Sequence, residues 1–308
     1  MQNEKLLVPD YLFEVGWEVC NKVGGIHTVI ATKIASLEKV LNKPHILIGP
    51  DVVQGNETNH EFIEDPLLLK TWKAKAINDG LRIRVGRWNI AEKPIIVLID
   101  FTPFFSSKDE ILSNLWEKFK LDSLSGQWDY IEPALFGYAA AKVIESYVKY
   151  HCAPNDKIIA QFHEWMTGSG LLYLKSEMPQ VGCVFTTHAT VLGRCIAGNN
   201  LPLYDKLKSY NPDTVSRNFN VISKQSLEKL AAQEADSFTT VSDITAKECE
   251  QFLGKPVDIV TPNGFQDFIA NDENFAEQEK KGRNDLIKVA QAILGRPIDN
   301  NALLIGIS

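Results

Sequence analysis

The chain has 308 residues, 44% of them hydrophobic and 23% charged, an ordinary globular balance with apolar material for one large or two ordinary domains. A formal charge of -7 argues against a surface built for nucleic acid or anionic lipid, because phosphate binding needs a basic excess on at least one face. No apolar run reaches membrane length and "MQNEKLLVPD" lacks the basic end and apolar stretch of a signal peptide, so a cytoplasmic protein with neither membrane nor nucleic acid as partner is expected.

In chain order, short apolar and β-branched runs predict buried strands at "YLFEVGW" (11–17), "HILIGP" (45–50), "PIIVLID" (94–100), "KIIAQF" (157–162), "VGCVFTT" (181–187), "SFTTV" (237–241) and "DIVTP" (258–262). Helical patterns lie between several of them. After Gly25 the apolar positions Ile26, Val29, Ile30, Ile34, Leu37, Val40 and Leu41 fall three or four apart, on one helix stripe. Further helices are predicted over 133–151, 224–235, 244–253 and roughly 273–294. The stretches 51–93 and 199–222 are less regular and read as insertions at the sheet edges. Strand alternating with helix predicts an α/β fold with a doubly wound, mainly parallel, Rossmann-like sheet. The run "NNALLIGIS" (300–308) reads as a new strand, the start of a further domain. Five scattered cysteines without a C-x-x-C pair suggest free thiols, neither a zinc site nor a disulfide framework.

In a parallel sheet the carboxyl ends of the strands form the ligand edge, where helix N-termini point inward. Polar groups gather there: Lys22, Gly24 and Gly25 after the first strand, His163, Glu164 and Trp165 after "KIIAQF", His188 and Arg194 after "VFTT", Ser242 after "SFTTV" and Asn263 after "IVTP". Lys22 and the glycine pair suit a diphosphate, since glycine lets backbone N–H groups approach anionic oxygens; a tight helix-to-strand corner explains the same residues equally well. His188 and Arg194 could hold a sugar hydroxyl and a phosphate, against a satisfied structural histidine. A zinc helix is disfavoured because Thr167 stands where H-E-x-x-H needs its second histidine. Gly168-Ser169-Gly170 lacks the spacing of a nucleophile elbow. No D-x-D pair occurs to hold a divalent cation.

Six blocks in order, "LFEVGWEVCNKVGGIHTV" (12–29), "GRWNI" (86–90), "FHEWMTG" (162–168), "VFTTHATVLGR" (184–194), "TTVSDITAKECEQFL" (239–253) and "DIVTPNG" (258–264), closely resemble the amino-terminal half of glycogen synthases of the animal and fungal type. The resemblance implies one half of a GT-B glycosyltransferase, two Rossmann-like domains facing across a cleft. It implies retaining transfer of glucose from UDP-glucose to the non-reducing end of an α-1,4-glucan such as glycogen, with no metal and no cofactor. By the same resemblance Lys22, Gly24 and Gly25 would face the donor diphosphate, His188 would bond the glucosyl unit as a supporting catalytic group, and Arg194 would meet the donor phosphate. His163, Glu164 and Asn263 would line the cleft. The catalytic glutamates, the main uridine contacts and any homo-oligomer contact would belong to a carboxy-terminal domain.

The expected division is therefore an acceptor-side domain at 1–265, a connecting helical segment at 266–299 and the start of a donor-binding domain at 300–308, with the 308 residues inactive alone. One departure concerns control: Glu277 stands near where the family carries a histidine, with Lys281 following, so activation by glucose-6-phosphate is not expected from this stretch. Two other readings remain. A dinucleotide oxidoreductase could use Asp51 on a ribose, but lacks G-x-G-x-x-G after the first strand. A non-catalytic glucan-binding or assembly module fits the sheet pattern equally.

Overall fold

A computed structural model describes residues 8–52, 58–123, 125–264, 275–299 and 301–305. The chain divides into two compact units, Met1–Asn263 and Gly264–Ser308.

In the first unit, nine strands form one sheet. They are β1 (Tyr11–Val15), β2 (His45–Pro50), β3 (Phe62–Glu64), β4 (Arg82–Trp88), β5 (Ile95–Asp100), β6 (Ile158–His163), β7 (Val181–Thr187), β8 (Ser237–Thr240) and β9 (Ile259–Val260). Their order is β3-β4-β5-β2-β1-β6-β7-β8-β9. From β5 to β9 every neighbouring pair is parallel, while β4 runs antiparallel to both β3 and β5. The sheet reverses direction of growth at β1, between β2 and β6, which is where a doubly wound fold opens its ligand crevice.

Helices cover both faces. They are α1 (Gly25–Glu38), α2 (Lys70–Asn78), α3 (Lys108–Phe119), α4 (Trp128–His151), α5 (Gly168–Glu177), α6 (Val191–Gly198), α7 (Pro212–Asn218), α8 (Ile222–Glu234) and α9 (Asp243–Leu253). Strand alternation sorts the core. Phe13, Val15, Ile46, Ile48, Val97 and Ile99 bury one face against α4. Leu47, Ile96 and Leu98 point the other way and pack with Ile26, Ile30 and Ile34 of α1. This period of two, buried on both sides, is why the strands read as continuous apolar runs.

Several elements differ from their expected extents. The stripe after Gly25 was expected to reach Leu41; α1 stops at Glu38 and Val40 is exposed, because only Ile26, Ile30 and Ile34 meet the sheet. The helix expected from 133 begins at Trp128 and carries Pro133 inside it. Tyr130 holds the added turn down: it is buried, its hydroxyl bonds Ser123 at 2.9 Å, and its ring stacks on Trp165. The stretch expected to be irregular at 51–93 contains β3, α2 and β4, whose alternating "RIRVGRW" buries Ile83, Val85 and Trp88 and leaves the arginines outward. Likewise 199–222 contains α7, started by Asn211, which accepts the Thr214 N–H, and by Pro212. The ninth strand shortens to two residues.

In the second unit α10 (Phe275–Leu294) matches the helix expected there. The strand expected at 300–308 is not seen: residues 301–305 are not extended into a ladder, and Leu303 and Ile305 are exposed without a neighbouring strand among the described residues. Residues 300 and 306–308 lie outside the described residues. No helix among the described residues is long and apolar enough to cross a membrane.

Candidate functional site

The carboxyl ends of β1, β6 and β7 are adjacent, so the residues that follow them meet at one edge. His163 is the last residue of β6, and its Nδ1 lies 2.9 Å from Nε2 of His188, which follows β7. On its far side His163 Nε2 lies 2.6 Å from Oε1 of Glu14, the penultimate residue of β1. Glu14 is completely buried. It pairs with Lys33 of α1, whose Nζ also donates to Gln161 at 3.1 Å, and His45 Nε2 of β2 sits 2.9 Å from its second oxygen. These residues share the α1 face because Gln161 lies opposite Glu14, His163 is two residues beyond Gln161, and His45 lies opposite Leu12, two residues before Glu14.

The electrostatics follow from burial and pairing. Burial pushes the Glu14 pKa upward, but Lys33, the hydrogen bond from His163 and the adjacent His45 ring together hold it well below the usual carboxylate range. Burial lowers His163, against the pull of its bond to Glu14. Burial, then the charges of His163, Lys33 and Arg194, lower His188 to about 3. Both imidazoles are therefore neutral at physiological pH.

Glu164 adopts φ 65° and ψ 165°, a region nearly reserved for glycine that costs on the order of 1–3 kcal/mol. The twist turns its buried carboxylate beneath the loop after β7. Its Oε1 accepts the N–H groups of His188 at 2.8 Å and Ala189 at 3.1 Å, and Arg194 Nη2 stands 3.7 Å away. Burial raises the Glu164 pKa, opposed by Arg194 and the two N–H donors. Arg194 itself leans outward, its side chain 61% exposed.

Two buried glutamates hold α6, the helix that carries Arg194. Glu228 Oε2 accepts the Val191 N–H at 3.0 Å, and Glu248 Oε2 accepts the Thr190 hydroxyl at 2.8 Å while Thr190 caps Gly193. Glu248 lies so close that a Cβ at position 193 would stand 2.1 Å from its Oε2, which explains the glycine of "LGR". The other Glu248 oxygen accepts the Tyr204 hydroxyl at 3.0 Å.

The loop after β1 departs from the phosphate-cradle expectation at one point. Glu18 Oε2 accepts the N–H of Gly24 at 2.8 Å and of His27 at 3.0 Å, so a carboxylate already caps the N-terminus of α1. The Gly24 N–H is thus committed inside the protein. Gly25 is open, with nothing within 4 Å of where its Cβ would lie, and Lys22 is exposed without a side-chain partner among the described residues. Asn263 is exposed beyond β9, two strands along the sheet from β7. Trp165 is half-buried against the core. Asp51 pairs with Arg84 at 3.3 Å, which removes the carboxylate a dinucleotide ribose would need.

The structure therefore joins His163, Glu164, His188 and Arg194 by direct contacts. Gly16 of the β1 loop abuts His163, and the charge of Glu18 bears on Glu164, so the Lys22 loop borders the same group. Glu14, Lys33, Glu18, Glu228 and Glu248 were not foreseen; a single acid in the apolar run of β1 was the one available signal. The largest surface cavity among those described, about 840 Å³ and lined by Tyr204, Lys206, Lys208, Lys247 and Gln251, contains none of the site residues.

Residues 14–290 match the family model described as glycogen synthase. The chain is 34% identical over 264 residues to a liver glycogen (starch) synthase of Mus musculus, covering 85% of this chain and 37% of that protein. A glycogen (starch) synthase of Dictyostelium discoideum is 33% identical over 256 residues, 83% of this chain and 29% of that one, and one of Caenorhabditis elegans is 31% identical over 287 residues, 90% and 42%. The chain thus spans well under half the length of these relatives. Among solved structures, the catalytic domain of starch synthase IV from Arabidopsis thaliana, bound to ADP and acarbose, aligns with a TM-score of 0.48 at 16% identity over 91% of this chain and 60% of that one. With the family match running from β1 into α10 and relatives above 30% identity over more than four-fifths of its length, the chain belongs to the glycogen synthase family.

Proposed function

We propose that this chain forms the acceptor-side half of a GT-B glycosyltransferase that moves glucose from UDP-glucose to the non-reducing end of an α-1,4-glucan such as glycogen, with retention and without a metal. The observation that carries the reading is the joined group His163, Glu164, His188 and Arg194 at the carboxyl edge of β6 and β7, beside the Lys22 loop, in a chain of the glycogen synthase family. In this reading Arg194, Lys22 and the Gly25 backbone meet the donor phosphates. Cations placed there act on charge that grows as the nucleotide departs. His188 bonds the glucosyl unit, and His163, Glu164 and Asn263 line the cleft. A facing domain supplies the glutamates and the uridine contacts, and any homo-oligomer contact.

The division into an acceptor-side domain at 1–265, a helical connector at 266–299 and a further domain from 300 belongs to the same proposal. A single exposed helix end contributes about 0.3–1 kcal/mol toward an anion, while micromolar binding needs about 8 kcal/mol. The 308 residues alone are therefore inactive. The test is incorporation of label from radioactive UDP-glucose into glycogen, assayed on the full-length protein and on residues 1–308. Label with the former and none with the latter is expected; transfer by residues 1–308 alone, or none by the full-length protein, would refute the assignment.

A further inference from the structure

Glu14 has no place among the groups that reach the edge. It is the fourth of the five residues of β1, fully buried, where its strand neighbours are Phe13 and Val15. Taking a carboxylate out of water in the middle of a sheet is costly unless its charge is used. Its contacts show what the charge does, through the order of donors and acceptors.

An ionised carboxylate only accepts. His163 Nε2, 2.6 Å from Glu14 Oε1, must carry the proton. A neutral His163 then has a bare Nδ1, which can only accept. His188 Nε2 is 2.9 Å from that Nδ1, so it must be the donor. A neutral His188 protonated at Nε2 has its lone pair on Nδ1. That atom is buried and has no hydrogen-bond partner among the described residues. Glu14 Oε2 and both ring nitrogens of His45 in the same cluster also lack a hydrogen-bond partner among the described residues; the His188 acceptor differs in ending the relay at the sheet's carboxyl edge, where a ligand donor would meet it.

We propose that Glu14 is a positioning residue which, through His163, fixes His188 as the Nε2–H tautomer and so presents a bare Nδ1 that accepts from a hydroxyl group and turns away phosphate oxygens. Lys33 keeps Glu14 ionised, and Gln161 holds Lys33 in place. The hydroxyl is one of the donor sugar's, a clause that rests on the glucosyl-transfer reading; the tautomer does not. His188 thus serves the sugar, and recognition of the diphosphate falls to Arg194 and Lys22.

The tautomer is read directly from long-range proton–nitrogen spectra of residues 1–308 labelled with nitrogen-15 histidine, without ligand. At pH 7 His163 and His188 should each show a protonated Nε2 and a bare Nδ1. An Nδ1–H or doubly protonated His188 would overturn the proposal whatever the enzyme's activity. In E14Q the carboxamide can turn either oxygen or NH2 toward His163, so both tautomers of His188 should appear; a folded E14Q with the wild-type tautomer pattern would equally overturn it. Should E14Q fail to fold, K33Q removes the cation that keeps Glu14 ionised, so His188 should shift from the single wild-type tautomer toward a mixture, and an unchanged pattern in K33Q would count against the relay. In the full-length protein, E14Q should lower kcat for glucosyl transfer about tenfold or more while changing KM for UDP-glucose little; unchanged kcat would contradict the link to the sugar.

Discussion

Glu228 is fully buried with Oε1 unpartnered among the described residues, and burial together with the charge of Glu164 pushes its pKa well above the ordinary value. A raised carboxyl contributes stability that is complete below its unfolded pKa and is lost as pH rises through its folded pKa. Glu228→Gln keeps the shape and the acceptor for the Val191 N–H while removing the ionisation. Its unfolding free energy should therefore fall less than the wild type's as pH rises from about 4.5, a comparison that denaturant titrations at a series of pH values would make. Gly193 gives a steric counterpart. Gly193→Ala drives a methyl into Glu248 Oε2, an overpacking error of about 1–3 kcal/mol, visible as a lowered Tm. If Arg194 meets the donor phosphates as proposed, removing a charge-assisted bond worth about 1.5–3 kcal/mol should weaken UDP-glucose binding to the full-length protein by roughly 10- to 100-fold, measured by calorimetry, with Tm nearly unchanged because the side chain is largely exposed.

At the scale of elements, α6 joins the fold to the ligand edge. Eight residues are too few to be stable alone, so its first turn depends on Thr190, Glu228 and Glu248. Thr190→Ala removes the cap and should cost about 1 kcal/mol, with a Tm loss of a few degrees. The strands were legible in the sequence because β1, β2, β5, β6 and β7 are buried on both faces and therefore run apolar without strict alternation. The antiparallel β4 was less legible, since its arginines alternate with apolar residues in a stretch that also carries loops. The polar groups at strand ends could be found by position. Their supports could not: Glu228 and Glu248 lie in helices whose charges look like a solvated face, and Glu18 reads as an ordinary loop acid until its oxygen is seen on the Gly24 and His27 N–H groups.

Across the whole molecule, one buried polar seam joins β2, β1, β6 and β7 beneath α1, from His45 through Glu14 and His163 to His188. The sequence displays its members 14 to 188 residues along, and only the sheet order places them together. The seam makes stability sensitive to acid. The depressed His188 contributes stability that is present above an unfolded pKa of 6.5 and lost as pH falls toward about 3, and lowered His163 and Glu14 act in the same sense. Lys33 and Arg194 stand beside the histidines as positive charges and oppose their protonation. The Tm should accordingly drop between pH 6.5 and 4, and His188→Asn should make that drop shallower. The most direct measurement of the central claim is glucosyl transfer from UDP-glucose to glycogen by the full-length protein carrying His188→Ala. The account predicts that kcat falls at least about 100-fold, as when a preorganised transition-state contact is removed, with the fold intact; wild-type turnover in that variant would contradict it.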